Sequence, residues 1–402
     1  MKSIIKMLMA FMVLILFMTG CKYEVAEPLW EKDYTNPPTP VITRLDPDSV
    51  APAGVNYITI YGEDFAESLA DNQVYFGNVA AEIVDGSTSF ITVRRPNLVG
   101  DSIIVKLVSY DALIVAKYGP YRIDPVMERY GSFLDNAQLR ALDVDADGNL
   151  YVIQVAPSIL YKIPPDGGEK EIVRETGGVA YDAKVGPDGK LVVVMGSRII
   201  SQIDLLTADS TKFAEAPKTV RYGDFDSYGN FYVVSNSRSD LYFVASGDTV
   251  ATSPGLYNDG FFDVEVFQDG VNEYVYLLVE LRSPNAGEPG IAIWRHRILD
   301  ANGTLGEREL VLDWSQTGEF AESNPATFAV AKDSDGTIIY VGTDHTDPIL
   351  IFDPDKNSQD ILYKGIIPTE AVHLVYDNVR NYVYMLLGGE EWNILRIDMG
   401  EE

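Results

Sequence analysis

Six residues stand at one fixed offset from the tight turns of a repeating sequence. Arg140, Tyr181, Arg221, Phe262, Phe328 and His373 each lie eight residues before a turn-forming Gly or Asn. If those turns close hairpins, the shared offset places the six on one edge of the folded unit, as a ring of aromatic and cationic groups. Polar loops add Asn236, Arg238, Asn285, His345 and Trp392 to the same edge. An aromatic face stacks on the C–H face of a sugar, while amide, guanidinium and imidazole groups hydrogen-bond its hydroxyls. The expected chemistry is capture of a carbohydrate or another polar nutrient. Arginine and histidine are costly to bury alone, so Arg140, Arg221 and His373 are expected to reach solvent or ligand. Phe262 and Phe328 suit core packing equally well.

Other chemistries find less support. His296, His345 and His373 are the only histidines and form no H-x-H or H-x-x-x-H pair, which argues against zinc. Asp143, Asp145, Asp147 and Gly148 open like a calcium loop, but the twelfth position is Gln154 and a strand pattern follows. Asp-Gly there reads as a hairpin turn, as do Asp333 and Asp335. No G-x-S-x-G elbow and no phosphate-cradling glycine loop occurs. The reading leans away from an enzyme and assigns no cofactor. A calcium-dependent lactonase or lyase built on Asp, Asn and Glu stays open as the alternative, and a protein-docking scaffold as a second one.

The elements that must carry this ring begin near Val126. Six segments follow, among them LRALDVDADGNLYVI and VAYDAKVGPDGKLVVV, each an apolar run, an Asp/Gly-rich turn and a second run of β-formers. Gly148, Gly189, Gly229 and Gly270 recur at spacings of 41, 40 and 41, with Gly336 and Asn381 continuing the series after an insertion. A period near forty is the signature of a β-propeller, here of six blades over residues 125–402. The last unit is one strand short, and residues near Met127 to Phe133 are expected to complete it, removing both open sheet edges. The repeats resemble NHL-type six-bladed propellers.

Upstream, Ile42 to Pro47, Pro52, Gly54, Ile58-Thr59-Ile60-Tyr61-Gly62, Phe65, Val74-Tyr75-Phe76-Gly77 and Ile91-Thr92-Val93 before Pro96 alternate as half-buried strands between turn residues. Residues 40–124 resemble an IPT/TIG domain, an immunoglobulin-like sandwich. The fold class is therefore all-β, an IPT/TIG sandwich followed by a six-bladed propeller. Residues 21–39 read as a proline-containing tether. Residues 1–20 carry Lys2, Lys6 and an apolar run from Met7 to Met18, too short to span a bilayer, which reads as a secretory signal. Thr19-Gly20-Cys21, with the only cysteine at the cut, resembles the lipobox of bacterial lipoproteins, which implies acylation of Cys21.

The formal net charge is −29, a field that repels nucleic acid and anionic lipid surfaces. With one cysteine, disulfides contribute nothing and stability must come from burial. The whole arrangement resembles accessory surface lipoproteins of glycan-foraging Gram-negative bacteria. That resemblance implies an outer-membrane address, facing the cell surface or the periplasm, membrane attachment through lipid alone, an oligosaccharide or small-molecule ligand, and an outer-membrane transporter as partner.

Overall fold

The computed structural model describes residues 3–5, 7–9, 38–110, 112–134, 136–332, 336–388 and 393–400. The expected lipidation site Cys21, the tether through residue 37, Asp333 and Asp335, and Trp392, expected at the mouth, lie outside the described residues. Among the described residues no helix is long and apolar enough to cross a membrane.

The first unit is a two-sheet sandwich. One sheet orders Val41–Asp46, Tyr57–Glu63, Phe90–Arg94 and Ile83–Gly86; the other orders Val50–Ala51, Ala116–Ile123, Gly100–Ser109, Asn72–Phe76 and Val79–Ala81. Alternation does the sorting: Ile58, Ile60, Ile91 and Val93 face inward from one sheet, and Val74, Phe76, Val105 and Leu107 from the other. Gly62 is required by close approach, since a Cβ there would lie 2.0 Å from the Val41 carbonyl and 2.5 Å from the Phe65 ring. This accounts for the glycine and aromatic spaced behind the Ile58–Tyr61 strand.

Six sheets then form the propeller. Their innermost strands are Leu139–Val144, Asp182–Val185, Tyr222–Phe225, Gly260–Gln268, Pro325–Lys332 and Ala371–Asp377. The third blade has three strands where the other five have four, with Thr252 bridging Phe243 in place of the fourth. In the last blade Met127–Tyr130 pairs antiparallel with Ile394–Asp398, from Met127 opposite Ile397 to Tyr130 opposite Ile394. The segment expected to close the ring thus does so. Tyr130 is buried there against Tyr384, ring centroids 5.3 Å apart. The described residues form six further apolar clusters, one between each pair of neighbouring blades. The cohesion of the disc is therefore inter-blade burial.

The turns follow from their glycines. Gly148, at φ +85°, donates its N–H to the Asp145 carbonyl, and the Asp145 N–H donates to the Asn149 carbonyl, which closes a tight hairpin with a left-handed residue only glycine adopts cheaply. The Asp145 carboxylate accepts from Asn149 and Tyr151 while Asp143 turns into the channel, so the calcium-like string is a hairpin.

The sandwich is bolted to the fifth and sixth blades. The Tyr57 hydroxyl donates to Asp360 at 2.7 Å, and Arg94 Nη1 lies 3.0 Å from the same carboxylate. The Tyr363 hydroxyl donates to the Asp398 carbonyl at 2.7 Å and accepts from Gly54 N–H at 2.6 Å. Buried Arg95 spends its guanidinium on the carbonyls of Ala51, Pro52, Val55 and Asp124, stitching the linker to the sandwich.

Candidate functional site

Three of the expected mouth residues come together. Arg140, Tyr181 and Arg221 sit at the mouth end of the innermost strands of the first three blades, and the two guanidiniums flank the Tyr181 ring, 5.7 Å and 4.3 Å from its centroid. The main chain fixes this cluster, since Tyr181 N–H donates to Val194 and Arg221 N–H to Val234, each the end of its blade's second strand. Gly196, at φ +59°, leaves room for the ring; a Cβ there would come within 2.6 Å of Tyr181. The cation–π contacts hold both forks against the ring.

The other expected residues are placed differently. His373 is not at the mouth: it is 3% exposed and one step down the channel, its Nε2 3.7 Å from Asp182 Oδ1. Phe328 is fully buried between the fourth and fifth blades, and Phe262 is partly buried beside it. The physical reason is strand length. The innermost strands of the fifth and sixth blades run 8 and 7 residues, against 4 in the second and third. Eight residues back from the turn therefore still lies inside those blades. His345 packs on Phe320, centroids 4.6 Å apart, with its Nδ1 at the Asp347 main chain, an arrangement that shapes its loop. Asn285 bonds Glu288 in the enlarged loop, and Glu288 holds Arg308, which stacks on Trp294 at 4.1 Å. Asn236 and Arg238 are exposed in the third blade's loop, where the Arg238 carbonyl accepts from Lys218.

Beneath the mouth lies a set of buried ionisable groups that the sequence reading passed over. Asp143 accepts from Val185 N–H at 2.6 Å, Asp182 from Gly223 at 2.8 Å, Asp224 from Val266 at 2.7 Å, and Asp263 from Thr327 Oγ at 2.6 Å and Phe328 N–H at 3.2 Å. The Thr327 hydroxyl in turn accepts from Leu374 N–H at 3.2 Å, and His373 reaches the Leu142 main chain. Every blade is thus latched to the next by an inner-strand side chain, all the way round. Lys184 sits among the acids, 2.7 Å from Glu265.

Burial governs the charge states here. It pushes Asp182 up to about 8, with Asp263 adding to the rise. It likewise pushes Asp143 and Asp263 up to about 6 and raises Glu265. His373 is driven down to about 3 by burial and then by the Lys184 charge, so it stays neutral. Lys184 is held well above its usual value because the surrounding acids outweigh its burial. A sequence signal for this layer exists: each of the first four repeats carries an Asp within its innermost strand, at 143, 182, 224 and 263, where a buried strand should be apolar.

Among the described residues no three His, Cys, Asp or Glu side chains converge to hold a metal. The channel aspartates accept main-chain N–H groups and Glu265 pairs with Lys184, an arrangement that does not fit the calcium alternative. On the opposite, turn-bearing face a cavity of about 800 Å³ is lined by Asp145, Asp147, Asp188, Asp224 and Asp226. Of these, Asp145 and Asp226 are already committed to the asparagines of their own hairpins.

The family model of the IPT/TIG domain matches residues 40–120. The chain carries an IPT/TIG domain. Beyond it, the architecture is shared with solved structures of low sequence identity. An auxiliary nutrient-binding protein from Bacteroides thetaiotaomicron is 12% identical, with 91% of this chain and 99% of that one covered at a TM-score of 0.52. An auxiliary nutrient-binding protein from Bacteroides ovatus is 13% identical, with 90% and 99% covered at 0.50. A luciferin-regenerating enzyme is 10% identical and covers 68% of this chain and 95% of its own, at 0.52. No curated protein matches the sequence. At these identities the likeness establishes the fold, an all-β sandwich followed by a propeller, and function rests on the site.

Proposed function

We propose that this protein is a nutrient-binding lipoprotein that captures a carbohydrate at the mouth of its propeller channel. The observation that carries the reading is the Arg140–Tyr181–Arg221 cluster, an aromatic ring with two guanidiniums 5.7 Å and 4.3 Å from its centroid at the mouth end of the innermost strands. The shared architecture of the two auxiliary nutrient-binding proteins supports it over nearly their whole length. In this proposal Tyr181 stacks on a sugar face, Arg140 and Arg221 bond its oxygens, and Asn236, Arg238 and Trp392 contribute from the loops. Acylated Cys21 tethers the protein to the outer membrane, with the mouth available to pass ligand to an importer. The latched channel below the mouth acts as a rigid floor. Calorimetric titration of oligosaccharides into wild type and Tyr181→Ala tests the reading. Saturable binding lost in the variant supports it; equal binding by both moves the site elsewhere.

A further inference from the structure

The mouth face of the first four blades differs in charge from the rest of the molecule. In a chain of formal charge −29, the mouth face of the first four blades gathers Arg140, Arg221, Lys218, Arg238 and Arg282. Lys218 lies just before Arg221 on the strand that enters the third blade. Arg238 and Arg282 come from loops that meet at Asp259, which bridges to Ser239 and accepts from the Arg282 N–H. The acids nearby are engaged: Asp259 in that contact, and Glu280 with Arg282 at 3.3 Å. The opposite face carries Asp145, Asp147, Asp188 and Asp226 instead.

We infer that the mouth selects an anionic glycan, one carrying carboxylates such as uronic acid residues, rather than a neutral one. This rests on the glycan-binding reading above and specifies its ligand. Two observations carry it. Arg140 and Arg221 are fixed against the same ring, and a guanidinium whose plane is set in advance can pair bidentately with a carboxylate at lower entropic cost than a mobile one. In addition, Arg221 Nε is buried and makes no hydrogen bond among the described residues, so this fork meets a carboxylate through its terminal Nη groups. A neutral sugar offers hydroxyls that suit asparagine and aspartate equally, and gives no reason to collect arginines on one face of an acidic protein. Immediately below the mouth, Asp182 is held largely protonated by its burial, His373 is neutral and Lys184 is cationic.

The experiment is paired calorimetry of wild type, Arg140→Gln, Arg221→Gln and Tyr181→Ala, with tetragalacturonate and with a neutral galactotetraose as probes. Circular dichroism melts confirm that each variant is folded. The expected result is at least tenfold tighter binding of the uronate by wild type, weakened by raised salt. Each Arg→Gln change should reduce uronate affinity about tenfold or more and leave neutral-sugar affinity nearly unchanged. Equal affinity for the two probes, with Tyr181→Ala abolishing both, would overturn the anion preference and leave the glycan site standing. Failure of wild type to bind either probe would overturn the glycan reading together with the inference.

Discussion

Replacing Asp182 with asparagine tests the channel directly, through stability rather than ligand. Asp182 is fully buried, each of its oxygens accepts one main-chain N–H, and its pKa rises from 3.8 to about 8 on folding. Above about pH 4 the unfolded chain has released this proton while the folded protein keeps it, so the native state binds more protons. Stability is then greatest below the unfolded value and is lost as pH climbs toward the folded one. One such group gives a slope of at most about −1.4 kcal/mol per pH unit. Over the roughly four units between the two values the ceiling is about 6 kcal/mol, and coupling to Asp263 and Lys184 brings the expected loss nearer 3 kcal/mol between pH 5 and pH 8. The replacement amide cannot ionise. The Asp182→Asn variant should therefore show a flatter profile, less stable than wild type at pH 5, where an amide N–H faces one of two main-chain donors. The gap should narrow or reverse at pH 8. Urea denaturation followed by tryptophan fluorescence at pH 5, 6, 7 and 8 measures this. Buried His373, neutral when folded, contributes an opposite slope between pH 5 and its unfolded value, so the difference between the two profiles is the readout: an unchanged slope in Asp182→Asn refutes the assignment of a protonated, buried carboxyl.

Three further outcomes are expected. Tyr181→Ala should weaken glycan binding by about 1–3 kcal/mol, as loss of a central aromatic anchor does, with an unchanged melting temperature; calorimetry and thermal melts read the two together. Tyr363→Phe removes a hydroxyl that both accepts from Gly54 and donates to Asp398, and should cost about 1–3 kcal/mol in denaturant unfolding; an unchanged midpoint would show that this hydroxyl does not stabilise the junction. Cys21→Ala should move the protein from the membrane fraction to the soluble one, and continued sedimentation with membranes would reject lipid anchoring.

Turn chemistry makes the architecture legible. Asp-Gly pairs and their relatives, recurring at 41, 40 and 41 residues, mark hairpins wherever the blade sits, and a missing final strand is a countable deficit that Met127–Tyr130 fills. The mouth is legible only in part. The step from mouth to turn is constant in the first three blades, so Arg140, Tyr181 and Arg221 share one level. It lengthens in the fifth and sixth, where no local residue announces how far a strand runs before it turns, and so a fixed offset draws Phe328 and His373 too far outward. The latching acids Asp143, Asp182, Asp224 and Asp263 are visible in the sequence, but alternation alone does not distinguish a side chain facing solvent from one facing a neighbouring blade. His345 and Asn285 illustrate the converse: polar residues in loops whose hydrogen bonds go to their own loop.

The latches are asymmetric in what they demand of sequence. In each of the first four blades an aspartate carboxylate does the gripping, but what it grips in the next blade includes a main-chain N–H, at Val185, Gly223, Val266 and Phe328. A residue of any type except proline offers that N–H. One partner of every such contact is thus chemically specified while the other is free, so neighbouring blades need not change in concert. A valine, a glycine and a phenylalanine occupy the receiving position with equal success. Such one-sided specification lets repeats drift apart in sequence while the ring keeps its geometry, and it leaves the mouth residue of each blade open to be recruited separately for recognition.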